Sequence, residues 1–404
     1  MAVPQPELST LHRSTPATTL QIVLKVASRC NLNCSYCYVY HKGDLTWQRR
    51  PHFMADDLLQ VTLERVKRWC HQQGQRRVSL LFHGGEPLLA GVERFDRWCR
   101  MIRSALSDIV DLTLIVQTNG TLIDEGWITT FRAHHVQVGI SMDGPEAVHD
   151  RERVDHAGRG SYQRVAAAIA QMRAAAMPVS ILCVLPFGAD GAQLQRHFAA
   201  LGANRVSYLL PDFTHDTIAE IRRRYGPTPC ADLLIPAFDA WWQEGTLDLL
   251  VEPFVNMTRV ILGGESALDM IGNRPFGFVF VESDGAIEGL DVLRVCGHGS
   301  AGTGLNVFQH DFHQIAELSQ LHHQAIFTGM PLPQGCAGCA EATTCAGGYL
   351  PHRWSQVRGF DNPSVWCADL LRLFDHIRNR LGVTAEETSL RRQVLAEMVT
   401  NTLT

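Results

Sequence analysis

Several classes of protein are closed off by what this chain lacks. No apolar run in its 404 residues approaches the roughly 20 residues of a membrane-spanning helix, so no membrane partner is expected. Met1–Thr19 is polar and proline-bearing and has no apolar stretch of the kind a secretory signal carries. Charged residues make up only 19% and their balance is −5, so no excess of positive charge offers itself to nucleic acid. There is no internal repeat and no low-complexity segment. What the chain does have in number is cysteine, twelve in all. Clustered cysteines in a chain of this length, with no secretory signal, read as metal ligands in a reducing cytoplasm rather than as disulfides. An apolar content of 46% suffices for a sizeable core, and the length suits two domains or one large α/β domain with an appended module.

Strand and helix signals alternate from residue 20 to about 235. Strands are predicted at Leu20–Val26, Val78–Phe82, Leu112–Gln117, Val136–Ile140, Val179–Leu185 and Val206–Leu210. Helices are predicted at Asp56–Cys70, Phe95–Leu106, Asp124–His134, Tyr162–Ala176 and Gln193–Leu201. Six β–α units in a row predict a parallel α/β sheet, too short to close as an eight-stranded barrel: a partial (β/α)6 barrel resembling a TIM barrel. Residues 230–275 read as helices, and Phe278–Leu290 reads as a hairpin turning at Asp284-Gly285. The expected organisation is an N-terminal extension (1–19), the barrel (20–235), a bridging region with the hairpin (236–295), a cysteine-rich C-terminal domain (296–380) and a tail (381–404) that frays or packs as a short helix.

The polar and glycine-rich signals fall at strand C-termini, the edge where parallel sheets bind ligands. After the first strand comes Cys30-Asn-Leu-Asn-Cys34-Ser-Tyr-Cys37, a C-x3-C-x2-C spacing. Three thiolates can hold three corners of a [4Fe–4S] cubane and leave the fourth iron open; a closed zinc site needs a fourth ligand, which only His41 could supply nearby. After the second strand stands Gly84-Gly85-Glu86-Pro87, after the third Thr118-Asn119-Gly120, after the fourth Ser141-Met-Asp143-Gly144, and after the sixth Pro211-Asp212. A second group, Cys336-x2-Cys339-x5-Cys345 and then Cys367, offers four thiolates, enough for a closed cubane or a zinc ion. Cys70, Cys99, Cys183, Cys230 and Cys296 are scattered and read as small buried hydrophobes.

The C-x3-C-x2-C loop, with Tyr36 inside it, resembles the signature of the radical S-adenosylmethionine (SAM) enzymes, in which the open iron of a [4Fe–4S] cluster binds SAM and its cleavage gives a 5′-deoxyadenosyl radical. The resemblance implies that Cys30, Cys34 and Cys37 hold that cluster. Gly84, Gly85 and Glu86 resemble the family's GGE motif, the glycines letting backbone approach the ligand and Glu86 offering a carboxylate to the SAM ammonium. By the same resemblance Thr118, Asn119, Ser141 and Asp143 contact the SAM carboxylate, ribose or adenine. Arg153 either pairs with the SAM carboxylate or belongs to a solvated charge run.

The C-terminal group is similar to part of the SPASM domain of peptide-modifying radical SAM enzymes, which carries seven cysteines for two auxiliary clusters. Here Tyr349 stands at one of those positions and Cys296 lacks its G-x4-C partner. The resemblance therefore implies one auxiliary [4Fe–4S] cluster, ligated by Cys336, Cys339, Cys345 and Cys367, with Cys296 a bystander. The stretches Cys37–Tyr40, Leu209–Asp216, Glu282–Glu288, Cys345–Trp354 and Gly359–Leu370 resemble a subgroup that matures ribosomally made peptides into three-residue cyclophanes (triceptides), joining a β-carbon to an aromatic ring two residues away. That implies an oxidoreductase acting on a precursor peptide, with an electron donor such as flavodoxin or ferredoxin and the auxiliary cluster as electron acceptor. A base is also required. Asp212 and His215 are the first candidates, with His83 and Asp216 near the same edge, although each has a bracing role open to it. Formylglycine formation on a sulfatase, thioether formation and epimerisation are alternatives on the same scaffold; in the last, Cys183 or Cys230 would be the hydrogen-atom donor. With no N-terminal wing before the barrel, a leader is expected to bind by strand addition or along residues 230–275, and Arg222–Arg224 offers either attraction for an acidic leader or a solvated helix face.

Overall fold

Strands β1 (Leu20–Ala27), β2 (Arg77–Gly84), β3 (Asp111–Thr118), β4 (Val136–Ser141), β5 (Ser180–Val184) and β6 (Arg205–Leu209) pair parallel in chain order in the computed structural model, which describes residues 19–244, 249–272 and 274–402. The N-terminal extension therefore lies, Thr19 apart, outside the described residues. The strands are Val-, Ile- and Leu-rich because helices cover them, and every residue of β1 but Gln21 is buried. In register, Leu24 lies opposite Phe82, Val116 opposite Val138 and Ile181 opposite Val206.

The helices between the strands are α1 (Asp56–Gln73), α2 (Val92–Leu106), α3 (Glu125–Ala133), the single turn α4 (Glu146–His149), α5 (Tyr162–Ala174) and α6 (Gly191–Ala200). The longer ones each present one apolar face to the sheet. In α2 that face is Phe95, Trp98, Cys99, Ile102 and Leu106, spaced by threes and fours. Cys70 and Cys99 are buried in such faces, in the expected role of small hydrophobes.

The sheet is wider than six strands. After α7 (Ala219–Tyr225) and α8 (Pro229–Glu244), β7 (Leu250–Val251) adds to β6, and α9 (Glu252–Ile261) follows. The predicted hairpin, β8 (Phe278–Val281) and β9 (Ala286–Glu288), forms at Asp284-Gly285. It is not a separate bridging piece, because β8 lies parallel against β1, with Val281 opposite Leu24. The free edge of an apolar β1 needs covering, and Phe278–Val281 supplies an apolar strand to do it. β10 (Gly302–Asn306) completes an open ten-stranded sheet in the order β10-β9-β8-β1-β2-β3-β4-β5-β6-β7.

The C-terminal segment contributes α10 (Leu321–Thr328), α11 (Ala342–Cys345), α12 (Cys367–Leu381) and α13 (Ala385–Thr402). α12 docks on α8, where Asp369 Oδ1 accepts from the backbone N–H groups of Cys230 (2.7 Å) and Ala231 (2.9 Å). The tail is a full helix, tied down by Thr388 Oγ1 donating to the Ile261 carbonyl at 2.6 Å. One large apolar core runs under the sheet and its helices. A smaller one joins Leu290, Leu293, Ala301, Ala325, Met330 and Leu350, with Cys296 and Tyr349 packed against it. Among the described residues no helix is long and apolar enough to cross a membrane.

Candidate active site

A cavity of about 350 Å³ opens at the C-terminal ends of β1–β6, and Cys30, Cys34 and Cys37 line one side of it. Their loop is irregular and is held from outside by residues 152–156. Asn33 N donates to Val154 O (2.7 Å), Ser35 N to Glu152 O (3.2 Å), and His156 Nε2 meets Cys30 O at 2.9 Å. Cys30 Sγ accepts from Leu32 N at 3.4 Å and faces Asn119 Nδ2 at 3.7 Å. Burial pushes the Cys30 thiol up to about 12, with Glu86 adding to the shift, and raises Cys34 and Cys37 as well. The three stay neutral unless a cation draws off their protons, which iron does.

Gly84 and Gly85 also line the cavity, and the structure assigns them a different reason from the expected one. A Cβ on Gly84 would stand 2.1 Å from Ala27 O, and on Gly85 2.1 Å from Tyr40 Oη and 2.3 Å from Arg29 O. The glycines let β2 run against the cysteine loop itself, with Gly85 N donating to Ala27 O (2.7 Å) and Glu86 N to Arg29 O (2.9 Å). Glu86 likewise departs from expectation. Its carboxylate is fully buried away from the cavity and accepts from Leu88 N (2.9 Å), Thr118 Oγ1 (2.7 Å) and Asn119 N (2.8 Å), bracing the ends of β2 and β3.

Thr118, Asn119 and Ser141 line the cavity. Ser141 Oγ accepts from Gln117 Nε2 (2.9 Å), and Asn119 Nδ2 donates to Asn31 Oδ1 (2.8 Å). Tyr36 and Arg153 line it too, while Asp143 stands behind them. Tyr36 Oη donates to Asp143 Oδ2, Arg153 Nη1 donates to Tyr36 Oη, and Asp143 Oδ1 accepts from Val184 N at 3.0 Å. The solvated alternative for Arg153 is excluded: the residue is buried, and its Nε has no partner. His149 positions this group. Its Nδ1 accepts from Asp143 N (3.2 Å), and burial pushes its ring down to about 3, so it stays neutral.

Of the two candidate bases, only Asp212 reaches the cavity. His215 is turned away, its Nε2 on the carbonyl of Pro363 (2.8 Å), where it ties the loop after β6 to the C-terminal segment; Asp216 Oδ2 does the same through Gln356 N (3.0 Å). The sequence reading missed Asp212's partner, His352, whose Nε2 lies 3.2 Å from Asp212 Oδ1. It also missed Asp269, which lines the same cavity and which burial pushes up to about 6. His83 lines the cavity with its Nδ1 3.3 Å from Lys25 Nζ, and burial and Lys25 push it down to about 3. Cys183 is buried within β5 and Cys230 within α8. Neither lines the cavity, so neither is placed to donate a hydrogen atom there.

A buried ionic network fastens the hairpin to the cysteine loop. Arg294 Nη2 meets Glu282 Oε1 (2.9 Å) and Glu288 Oε2 (2.6 Å), and its Nε meets Asp44 Oδ2 (3.1 Å). Arg50 reaches the same two glutamates at 3.0 and 2.5 Å. Beside them Lys25 pairs with Asp291 at 2.5 Å.

Cys336, Cys339, Cys345 and Cys367 surround a second, small cavity; Cys296 does not line it. Cys339 N donates to Cys336 O (3.1 Å), Cys345 N to Glu341 O (2.7 Å) and Cys367 N to Ser364 O (2.9 Å), a succession of tight turns that brings the four thiols to one place. Among the described residues no three His, Cys, Asp or Glu side chains converge closely enough for a single metal ion.

Residues 24–201 match the Radical SAM superfamily. The parallel sheet and its cysteine loop thus form a radical SAM domain over those residues, and the chain is an enzyme with SAM and an iron–sulfur cluster as cofactors. Over almost its whole length it is similar to anaerobic sulfatase-maturating enzymes. The cysteine-type enzyme of Clostridium perfringens is 26% identical over 379 residues, covering 90% of this chain and 97% of the relative. The serine-type enzyme of Bacteroides thetaiotaomicron is 22% identical over 392 residues, 89% and 90% of the two chains. The solved structure of native anSMEcpe with bound AdoMet superimposes with a TM-score of 0.73 at 24% identity, over 90% of this chain and 98% of that one. Streptococcus suis SuiB bound to its precursor peptide SuiA gives 0.54 at 14%, over 87% and 76%.

Proposed function

We propose that the chain oxidises a ribosomally made precursor peptide, abstracting a β-hydrogen and joining that carbon to an aromatic ring two residues away. The observation that carries this reading is the makeup of the cavity: the cysteine loop lines one side, and Tyr349 and His352 of the C-terminal cysteine segment line another. A peptide side chain lodged there lies between the two cysteine groups. In this reading Cys30, Cys34 and Cys37 hold the SAM-binding cluster, and Cys336, Cys339, Cys345 and Cys367 hold one closed auxiliary cluster. Tyr349 and Cys296, packed against the small apolar core, are bystanders in this reading rather than ligands of another cluster.

Bound SAM and its cluster supply the 5′-deoxyadenosyl radical, once a flavodoxin or ferredoxin delivers the electron. The chain's own residues do the rest. Arg153, buried with an unpartnered Nε, is the counter-charge for the SAM carboxylate, and Asp143 and Tyr36 fix its guanidinium. The backbone at Gly84 and Gly85 receives the ammonium, and Glu86 acts through the frame it braces. Thr118, Asn119 and Ser141 face ribose and adenine. Asp212 stands on the cavity as a proton-handling group; His215 braces its loop.

A second reading, formylglycine formation on a sulfatase, is supported by the similarity to sulfatase-maturating enzymes over about nine-tenths of the chain. The test is anaerobic turnover with the peptide encoded beside the gene, followed by tandem mass spectrometry. Loss of about 2 Da, the two hydrogens of a two-electron oxidation, with fragmentation blocked across three residues, is expected. A product that reacts with a hydrazide, on a serine or cysteine, would move the assignment to formylglycine.

A further inference from the structure

We infer that His352, oriented by Asp212, accepts the proton that the peptide loses as it is oxidised. This rests on the peptide-oxidation reading above. His352 is 1% exposed yet lines the cavity. Its Nε2 is 3.2 Å from Asp212 Oδ1, and its Nδ1 is buried without any partner. An ionised carboxylate only accepts, so Nε2 carries the hydrogen and Nδ1 holds the free lone pair. That lone pair can take up a proton, and Asp212 stabilises the imidazolium that forms. His352 is anchored from two sides. Its backbone carbonyl accepts from Val365 N at 2.8 Å, and the Tyr349 ring packs edge-on against it at 5.0 Å.

The other groups nearby are committed elsewhere. Lys25 takes the Nδ1 lone pair of His83. Asp291 receives Lys25 (2.5 Å) and Tyr38 Oη (2.6 Å); against the upward push of burial, Lys25 and Arg294 hold it down at about 2. Asp269 and Lys42, which also line the cavity, are the remaining competitors.

In the step, the peptide radical has already bonded its β-carbon to the aromatic ring. The C–H bond at the attacked ring carbon breaks, its proton going to His352 Nδ1. One electron leaves to an oxidised iron–sulfur centre, and the remaining electrons restore aromaticity. On the formylglycine reading the same group takes the O–H or S–H proton of the radical-bearing side chain as one electron leaves.

The experiment compares wild-type holoenzyme with H352Q, D212N and D269N on the peptide encoded beside the gene, measuring 5′-deoxyadenosine, oxidised peptide and iron content. H352Q is expected to form 5′-deoxyadenosine within about twofold of wild type while product per 5′-deoxyadenosine falls about 10²-fold, the scale of a lost general base. D212N is expected to lower the same ratio less, and added imidazole to raise it in H352A. A structural role would lower iron or both products together. Wild-type ratios in H352Q, loss of iron and both products together, no imidazole rescue, or loss of the ratio in D269N alone would each overturn the assignment. Wild type that forms 5′-deoxyadenosine but no oxidised peptide would instead reject the functional reading, and the inference with it.

Discussion

Replacing Arg294 by methionine tests whether the buried network carries the hairpin. Arg294 is 1% exposed and serves Glu282, Glu288 and Asp44 at 2.9, 2.6 and 3.1 Å. Without it Glu282 and Glu288 share the one guanidinium of Arg50, and Asp44 loses its buried arginine partner. Breaking a buried ionic group by removing one member costs about 3–5 kcal/mol, a factor of about 10²–10⁴ in the folding equilibrium. The loss should depend on pH with a definite sign. Burial, reinforced by Glu288, already raises Glu282 above the usual carboxylate range, and Arg294 counters that rise. Removing Arg294 raises it further. Between the ordinary value and the raised one the folded state binds more protons than the unfolded, so stability falls as pH rises through that window. The R294M deficit, read from urea denaturation midpoints, should therefore be larger at pH 8 than at pH 5. Adding E282Q and E288Q should recover most of it. A deficit that is independent of pH, or no recovery in the triple variant, would refute the reasoning.

Three further outcomes are expected. Gly85→Ala forces a Cβ to within 2.3 Å of the Arg29 carbonyl; it should cost about 1–3 kcal/mol and weaken SAM binding in equilibrium titration, and unchanged affinity would reject the role given to the close approach. Cys367→Ala should lower iron by about four per chain, the content of one cubane, while SAM cleavage persists; loss of all the iron would show the two groups to be one site. His215→Ala removes a hydrogen bond to Pro363 O and should cost about 0.5–1.5 kcal/mol in denaturation, yet leave the ratio of product to 5′-deoxyadenosine unchanged. A fall in that ratio would restore His215 as a base.

The parallel core was legible because each strand is a short apolar run and each helix repeats its apolar residues by threes and fours, as in Phe95, Trp98, Ile102 and Leu106. β7 has two residues, and β10, Gly-Thr-Gly-Leu-Asn, has no apolar alternation; both exist through pairing with strands already in place. The hairpin was legible from Asp284-Gly285, but its partner was not, since nothing local in Phe278–Val281 says that it lies on β1. The cysteine groups and strand-end motifs announce themselves by spacing. Glu86 was misread because its hydrogen-bond partners Thr118 and Asn119 are about thirty residues away. His352 carries no spacing signal at all; only the docking of the segment between Cys345 and Cys367 on the loop after β6 puts it beside Asp212.

We propose that the strand-end cysteines, and not the C-terminal ones, form the site where SAM is bound and cleaved. The most direct measurement is 5′-deoxyadenosine production, with iron content, by the reduced wild-type protein and by the variant with Cys30, Cys34 and Cys37 all changed to alanine. This variant is expected to keep about four irons and to form no 5′-deoxyadenosine. SAM cleavage by the variant at the wild-type rate would contradict it.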